Sequence, residues 1–299
     1  MLPKEVTIIE VGPRDGLQNE KNFVETSHKI SFIRSLKEAG VKEMELTSFV
    51  SPKWVPQMQD AESIAGSCLD EHRNFVLTPN EKGLNKALSS GCRDIAFFVG
   101  VSDSFNKHNI NKTTAESLKA VLPLVERAKN SNGFVRACIS TSFYCPYEGK
   151  ISADRVIALS KEFVTAGADE LSVADTIGMA SPAESAILFS KLKDAFPDTM
   201  IAGHFHDTRG MALANIFAAL QSGVNRFDTS AGGLGGCPFA PGASGNAATE
   251  DAVNMLESMG ISTGINLELV LKAVENIQPA LARNINSRMF TLHQQETIV

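Results

Sequence analysis

Short apolar, β-branched runs recur along this chain, separated by longer stretches with helical spacing. The runs are VTIIEV from Val6, EMELTSF from Glu43, NFVLTP from Asn74, DIAFFVG from Asp94, VRACIST from Val135, ELSVADT from Glu170, MIAGHFH from Met200 and NRFDTSA from Asn225. Between them, apolar residues return every three or four positions in ETSHKISFIRSLKEAG, TTAESLKAVLPLVERAKN, SADRVIALSKEFVTAG, SPAESAILFSKLKDAF and GMALANIFAALQSG, several opened by Ser or Thr and closed by Gly. Eight strand-helix alternations predict an α/β fold of the (β/α)8 TIM-barrel type, whose usual size is about 250 residues. The remainder, from about residue 247 to 299, carries ATEDAVNMLESMG and INLELVLKAVENIQPALARN and reads as extra C-terminal helices. A doubly wound open sheet is the structural alternative, but no G-x-G-x-x-G follows the first run. With no linker, repeat or low-complexity tract, residues 1–299 read as one catalytic domain.

Composition narrows the functional classes. Hydrophobic residues make up 43% and charged residues 21%, enough for a core without staples. The formal charge is -6 and no dense basic run appears, so no nucleic-acid partner is expected. Five cysteines, Cys68, Cys92, Cys138, Cys145 and Cys237, with no Cys-x-x-Cys pair, suit reduced thiols. The first strand begins almost at once, leaving no room for a leader peptide, and no apolar stretch is long enough for a bilayer. A cytoplasmic protein without a membrane partner is the expectation.

The seventh run ends in the segment AGHFHDTRG. Residues two apart on a strand share a face, so His204 and His206 project together, into the barrel at its carboxyl end if the register is right. Barrel enzymes keep their chemistry at that end, and two imidazoles there form half a metal site. The plainer alternative makes His206 and Asp207 helix caps and His204 a space filler. Barrel closure brings the first strand beside the eighth, so Arg14 and Asp15 of GPRDG and Asn246 after the eighth run are candidates to join the pair. As a lone tripeptide, RDG reads better as a tight turn with Arg14 in a surface ion pair. Oxygen and nitrogen donors alone do not select the ion. Residues 232–245 hold six glycines with Pro238, Pro241 and Cys237, a loop suited to closing over a site and carrying a thiol with it.

The segments EVGPRDGLQNE, ELTSFVSPKWVPQM, NINKTTAES, CPYEGKI, ELSVADTIG, AGHFHDTRGMALAN and GGLGGCPFAPGASGNAATEDAVNMLE resemble the 3-hydroxy-3-methylglutaryl-CoA lyase family over nearly the whole chain. Barrel synthases that make isopropylmalate or homocitrate share RDG and H-x-H, whereas the cysteine loop favours the lyases. The resemblance implies retro-Claisen cleavage of 3-hydroxy-3-methylglutaryl-CoA to acetoacetate and acetyl-CoA, with a related 3-hydroxyacyl-CoA as the alternative substrate. It also implies a Mg or Mn cation on Asp15, His204, His206 and Asn246. Arg14 would stabilise the thioester enolate, and Cys237 would return or shuttle a proton. Glu45 would orient Arg14 or the water around the ion, and Asp175 would support a histidine. The general base, His204 or Asp15, stays open. Lys21 is a candidate contact for a CoA phosphate or carboxylate, Arg209 could alter anion contacts, and a homodimer through the tail helices is possible. A metal-dependent hydrolase is the reading from another class; it needs later histidines, and only His293 follows the pair.

Overall fold

A computed structural model of the chain describes residues 2–236, 245–281, 283–285 and 287–296. Its strands are β1 (Thr7–Glu10), β2 (Glu43–Ser48), β3 (Arg73–Leu77), β4 (Asp94–Gly100), β5 (Phe134–Ser140), β6 (Tyr144–Cys145), β7 (Gly149–Lys150), β8 (Glu170–Asp175), β9 (Met200–Phe205) and β10 (Arg226–Thr229). Eight of them form a closed parallel barrel in the order β1-β10-β9-β8-β5-β4-β3-β2, while β6 and β7 pair separately as an antiparallel hairpin. The fold is thus the expected TIM barrel, and each apolar run supplies one of its strands. The hairpin lies within YCPYEGK, a segment too short and polar to show strand alternation.

Side-chain alternation assigns the two faces of the wall. Val135, Ala137 and Ile139 of β5 join the large apolar layer between barrel and helices. Arg136, between two of them, reaches Glu45 on β2, Glu170 on β8 and Asp228 on β10, which places it inside. Helix starts follow the local chemistry: Thr113 and Glu116 form a capping box on the helix Thr114–Asn130, Ser181 and Glu184 another on Pro182–Ala195. The helix Thr249–Ser258 follows β10 and completes the eighth alternation. Beyond it, Leu267–Ile277 packs against Thr26–Glu38, and Arg288–Glu296 begins where Asp251 accepts the Arg288 and Met289 N–H groups.

The barrel interior is not uniformly apolar. Ile9, Val11, Phe75 and Ala202 form a small inner cluster. Charged side chains rise beside it. Near the amino ends of the strands, Arg226 pairs with Glu43 at 2.5 Å and with Glu170 at 2.5 Å. Glu170 also meets the fully buried Arg136 at 2.6 Å, and Arg136 continues to Asp228 and Glu45. Burying such groups is tolerable only while each keeps its counter-charge. We predict that Arg226→Met, which leaves Glu43 and Glu170 short of a cation, lowers stability by about 3–5 kcal/mol, measured as a shift in denaturant midpoint at unchanged slope. A loss under about 1 kcal/mol would mean that this pairing is solvated like a surface ion pair.

Candidate metal centre at the barrel mouth

The first contribution comes from GPRDG. Instead of a tight surface turn, residues Gly12–Gly16 form one π-helical turn immediately after β1. Its wider hydrogen-bond rings run from Gly16 N–H to the Val11 carbonyl at 3.1 Å and from Leu17 N–H to the Gly12 carbonyl at 2.9 Å. The turn brings both Arg14 and Asp15 to the barrel mouth. Gly16 is needed there because a Cβ would sit 2.8 Å from both Leu234 Cβ and Ser230 Oγ.

The second contribution comes from β9 and the chain after β10. His204, one residue before the end of β9, turns its side chain toward Asp15, their Nε2 and Oδ2 atoms 4.0 Å apart. His206 pairs as a single antiparallel bridge with Asn246, because Asp207 N–H donates to the Gly245 carbonyl and Ala247 N–H to that of Phe205. Between the histidines, Phe205 turns to the outer layer and packs on Phe143 and Phe189. Asn246 Nδ2 donates to Asp15 Oδ2 at 2.8 Å and to the Leu234 carbonyl at 3.0 Å. Gly235, at φ +120°, lies so close to Gly245 that a Cβ on the latter would meet the Gly235 carbonyl carbon at 2.4 Å. Two glycines therefore let the chain cross itself beside Asn246. Cys237 lies outside the described residues.

Donor atoms of Asp15, His204 and His206 all fall within 4.8 Å of one another, a possible metal-binding triad. Hydrogen bonding shows which atoms are available. His204 Nδ1 lies 3.0 Å from Asp228 Oδ2, which directs Nε2 toward Asp15. His206 Nδ1 and Asn246 Oδ1 are buried with no hydrogen-bond partner among the described residues. An unmet buried polar atom costs about 1–3 kcal/mol. Two orphans beside a carboxylate fit a cation that takes lone pairs. The charge balance agrees: in the connected network, Arg14, Arg136 and Arg226 face Asp15, Glu43, Glu45, Glu170 and Asp228, an excess of two negative charges.

Ionisation follows from these contacts. Burial alone would raise the Asp15 carboxyl, but the Arg14 guanidinium, followed by the two histidines, overrides it and holds the group at about 2. Burial, with His204 adding to it, drives His206 down to about 4, so its ring is neutral at pH 7. His204 is also opposed by burial, yet the hydrogen bond and charge of Asp228 carry it upward. Arg14 donates from Nε to Glu45 Oε2 at 2.6 Å and from Nη1 to Asp15 Oδ1 at 2.7 Å. Its fork is fixed in direction.

The other sequence candidates divide. Glu45 sits on Arg14. Asp175, expected behind a histidine, instead accepts the Met179 and Ala180 N–H groups at 3.0 and 2.9 Å, fixing the loop after β8. The carboxylate behind His204 is Asp228, itself held by Ser172 Oγ at 2.8 Å and by Arg136. Sequence reasoning missed Asp228 and Arg136; their only signal was charge within an apolar run, one residue in VRACIST and two, Arg226 and Asp228, in NRFDTSA. Lys21 is exposed on the segment after the π-helical turn, where Gln57 Nε2 donates to the carbonyls of its neighbours Glu20 and Asn22. Arg209 donates to the Ile177 and Gly178 carbonyls, each at 3.1 Å, and joins two loops of the carboxyl face.

Known proteins resemble this chain over nearly its whole length. The HMGL-like family model matches residues 5–277. Hydroxymethylglutaryl-CoA lyase of Bacillus subtilis (strain 168) is 47% identical over 96% of both chains. A solved HMG-CoA lyase from Bacillus subtilis superposes with a TM-score of 0.95 at 46% identity, covering 98% of this chain and 99% of that one. Another, from Acinetobacter baumannii in complex with coenzyme A and 3-methylmalate, reaches 0.90 at 36% identity, covering 96% and 94%. With full-length similarity added to the shared barrel, the chain belongs to the hydroxymethylglutaryl-CoA lyase family.

Proposed function

We propose that the protein cleaves 3-hydroxy-3-methylglutaryl-CoA to acetoacetate and acetyl-CoA with a Mg or Mn cation held by Asp15, His204, His206 and Asn246. The observation that carries this reading is the cluster of Asp15, His204 and His206 donor atoms within 4.8 Å of one another, beside Asn246 and the fixed fork of Arg14. Family membership supplies the substrate class. When bound, the cation polarises the tertiary C3 hydroxyl and eases loss of its proton.

The chain's own residues account for the rest. As a general base takes the C3 hydroxyl proton, the O–H electron pair forms the ketone of acetoacetate at C3, the C2–C3 bond breaks, and its electron pair passes to C2 and the thioester oxygen. That oxygen gains its charge only along the reaction coordinate. Arg14, locked by Glu45 and Asp15, meets it without reorganisation, the condition under which a charged donor adds to rate rather than to binding alone. Asp15, held at about 2, keeps its charge, which suits a ligand better than a base. Cys237 is assigned the return of a proton to C2. The described flanks of its segment meet beside Asn246. Lys21 is assigned a contact with an anionic group of CoA. A cytoplasmic location is proposed from the thiols; Cys68, Cys92, Cys138 and Cys145 are free, and no described helix is long and apolar enough to cross a membrane.

The direct test mixes purified protein with 3-hydroxy-3-methylglutaryl-CoA and follows acetoacetate. Activity should vanish with a chelator and return with Mg or Mn; no product after cation is restored would remove the assignment. Arg14→Ala is expected to lower kcat at least about 10²–10³-fold, the usual loss for a stabilising donor at a developing oxyanion; near wild-type turnover would exclude the enolate role. His204→Ala should abolish turnover, whereas His206→Ala should act chiefly on cation affinity, seen as activity partly recovered at raised Mn concentration.

A further inference from the structure

We infer that Arg136 is a positioning residue that braces both halves of the site at once, His204 through Asp228 and Arg14 through Glu45. The roles of His204 and Arg14 are those of the proposed function; the bracing itself is a matter of geometry. β5 stands four strands from β1 around the barrel, so the fully buried Arg136 side chain works from the far wall. Its Nη2 donates to Asp228 Oδ1, its Nη1 lies 3.5 Å from Glu45 Oε1, and its Nε lies 2.6 Å from Glu170 Oε1.

Each of the two forward carboxylates divides its oxygens in the same way. Asp228 gives Oδ1 to Arg136 and Oδ2 to His204 Nδ1 and Ser172 Oγ. Glu45 gives Oε1 to Arg136 and Oε2 to Arg14 Nε. One planar guanidinium thus fixes two carboxylates, and each carboxylate fixes one group at the mouth. The span requires a fork: an ammonium is a single point of charge and cannot face Asp228, Glu45 and Glu170 in these directions together. Glu170 is anchored in turn by Arg226, so the brace stands on the pairing at the barrel floor.

The test uses the full chain with Mn2+ as the only added ligand, its affinity followed by electron paramagnetic resonance. Histidine 15N NMR of the metal-free protein is a second readout, and kcat for the thioester a third. In the wild type, His204 should carry its proton on Nδ1. Asp228→Asn should mix the tautomers and weaken Mn2+ binding about 10–100-fold. Glu45→Gln should leave the tautomer alone and lower kcat. Arg136→Lys, which keeps the charge and loses the fork, should do both. A folded Arg136→Lys protein with the wild-type tautomer, Mn2+ affinity or kcat would overturn the inference, even if its unfolding midpoint had moved. Should that variant not fold, the effect of Asp228→Asn on Mn2+ affinity is measured with and without Glu45→Gln. Sharing of one guanidinium predicts a change of about threefold or more between the two backgrounds, and strict additivity refutes it. Failure of the wild type to make acetoacetate would remove the lyase reading, while the Mn2+ and NMR measurements would still decide the bracing.

Discussion

Compensation of buried charge is the constraint on which this molecule rests. A carboxylate moved from water into a dry barrel loses several kcal/mol of solvation, and only close counter-charges with good geometry return it. Here the inward-facing positions of β2, β5, β8 and β10 carry ionised groups, and they are arranged as an alternating column from Glu43 and Arg226 to Arg14 and Asp15. Every member has a neighbour of opposite sign. Taken whole, the column is negative by two charges. The functional face therefore inherits its charge and the aim of its side chains from the interior beneath it.

Backbone proximity is the second requirement. The ligand residues come from the turn after β1, from β9 and its end, and from the segment after β10. They meet because small residues permit main chain to touch main chain. Gly16 against Leu234 and Ser230, and Gly245 against Gly235, leave no space for a Cβ, and Asn246 reaches Asp15 only because those crossings are tight. Glycine in RDG and in GGLGG is thus a packing requirement as much as a matter of loop freedom.

Much of this was legible in the residues. Apolar runs with period-two outer faces gave the eight strands. The spacing of His204 and His206 gave a shared direction, and closure of the barrel made Asp15 and Asn246 neighbours of that pair. Family likeness supplied Glu45 beside Arg14. What stayed hidden depends on register. Asp175 and Asp228 both lie at or near the carboxyl end of a strand and precede a turn, yet only Asp228 faces the ring of His204, while Asp175 is consumed by two backbone amides. Arg136 is one charge in VRACIST, and its partners lie on three other strands, which no local pattern connects. The π-helical turn was equally hidden, since five residues with a proline and two glycines suit several turns.

Parallel pairing of β1 with β10 is where the two ends of the barrel wall meet. Asp15 stands just beyond one edge of that seam and Asn246 just beyond the other, so an ion held by both, as proposed, would act as a rivet between the earliest and latest parts of the wall. Ligand that binds only the finished barrel stabilises it by RT ln(1 + [L]/Kd), about 2.7 kcal/mol at a hundredfold excess over Kd. A nascent polypeptide lacking its last strand has no such grip to offer. On the proposed function, metal capture would thereby certify completed synthesis at the place where an unfinished barrel would gape.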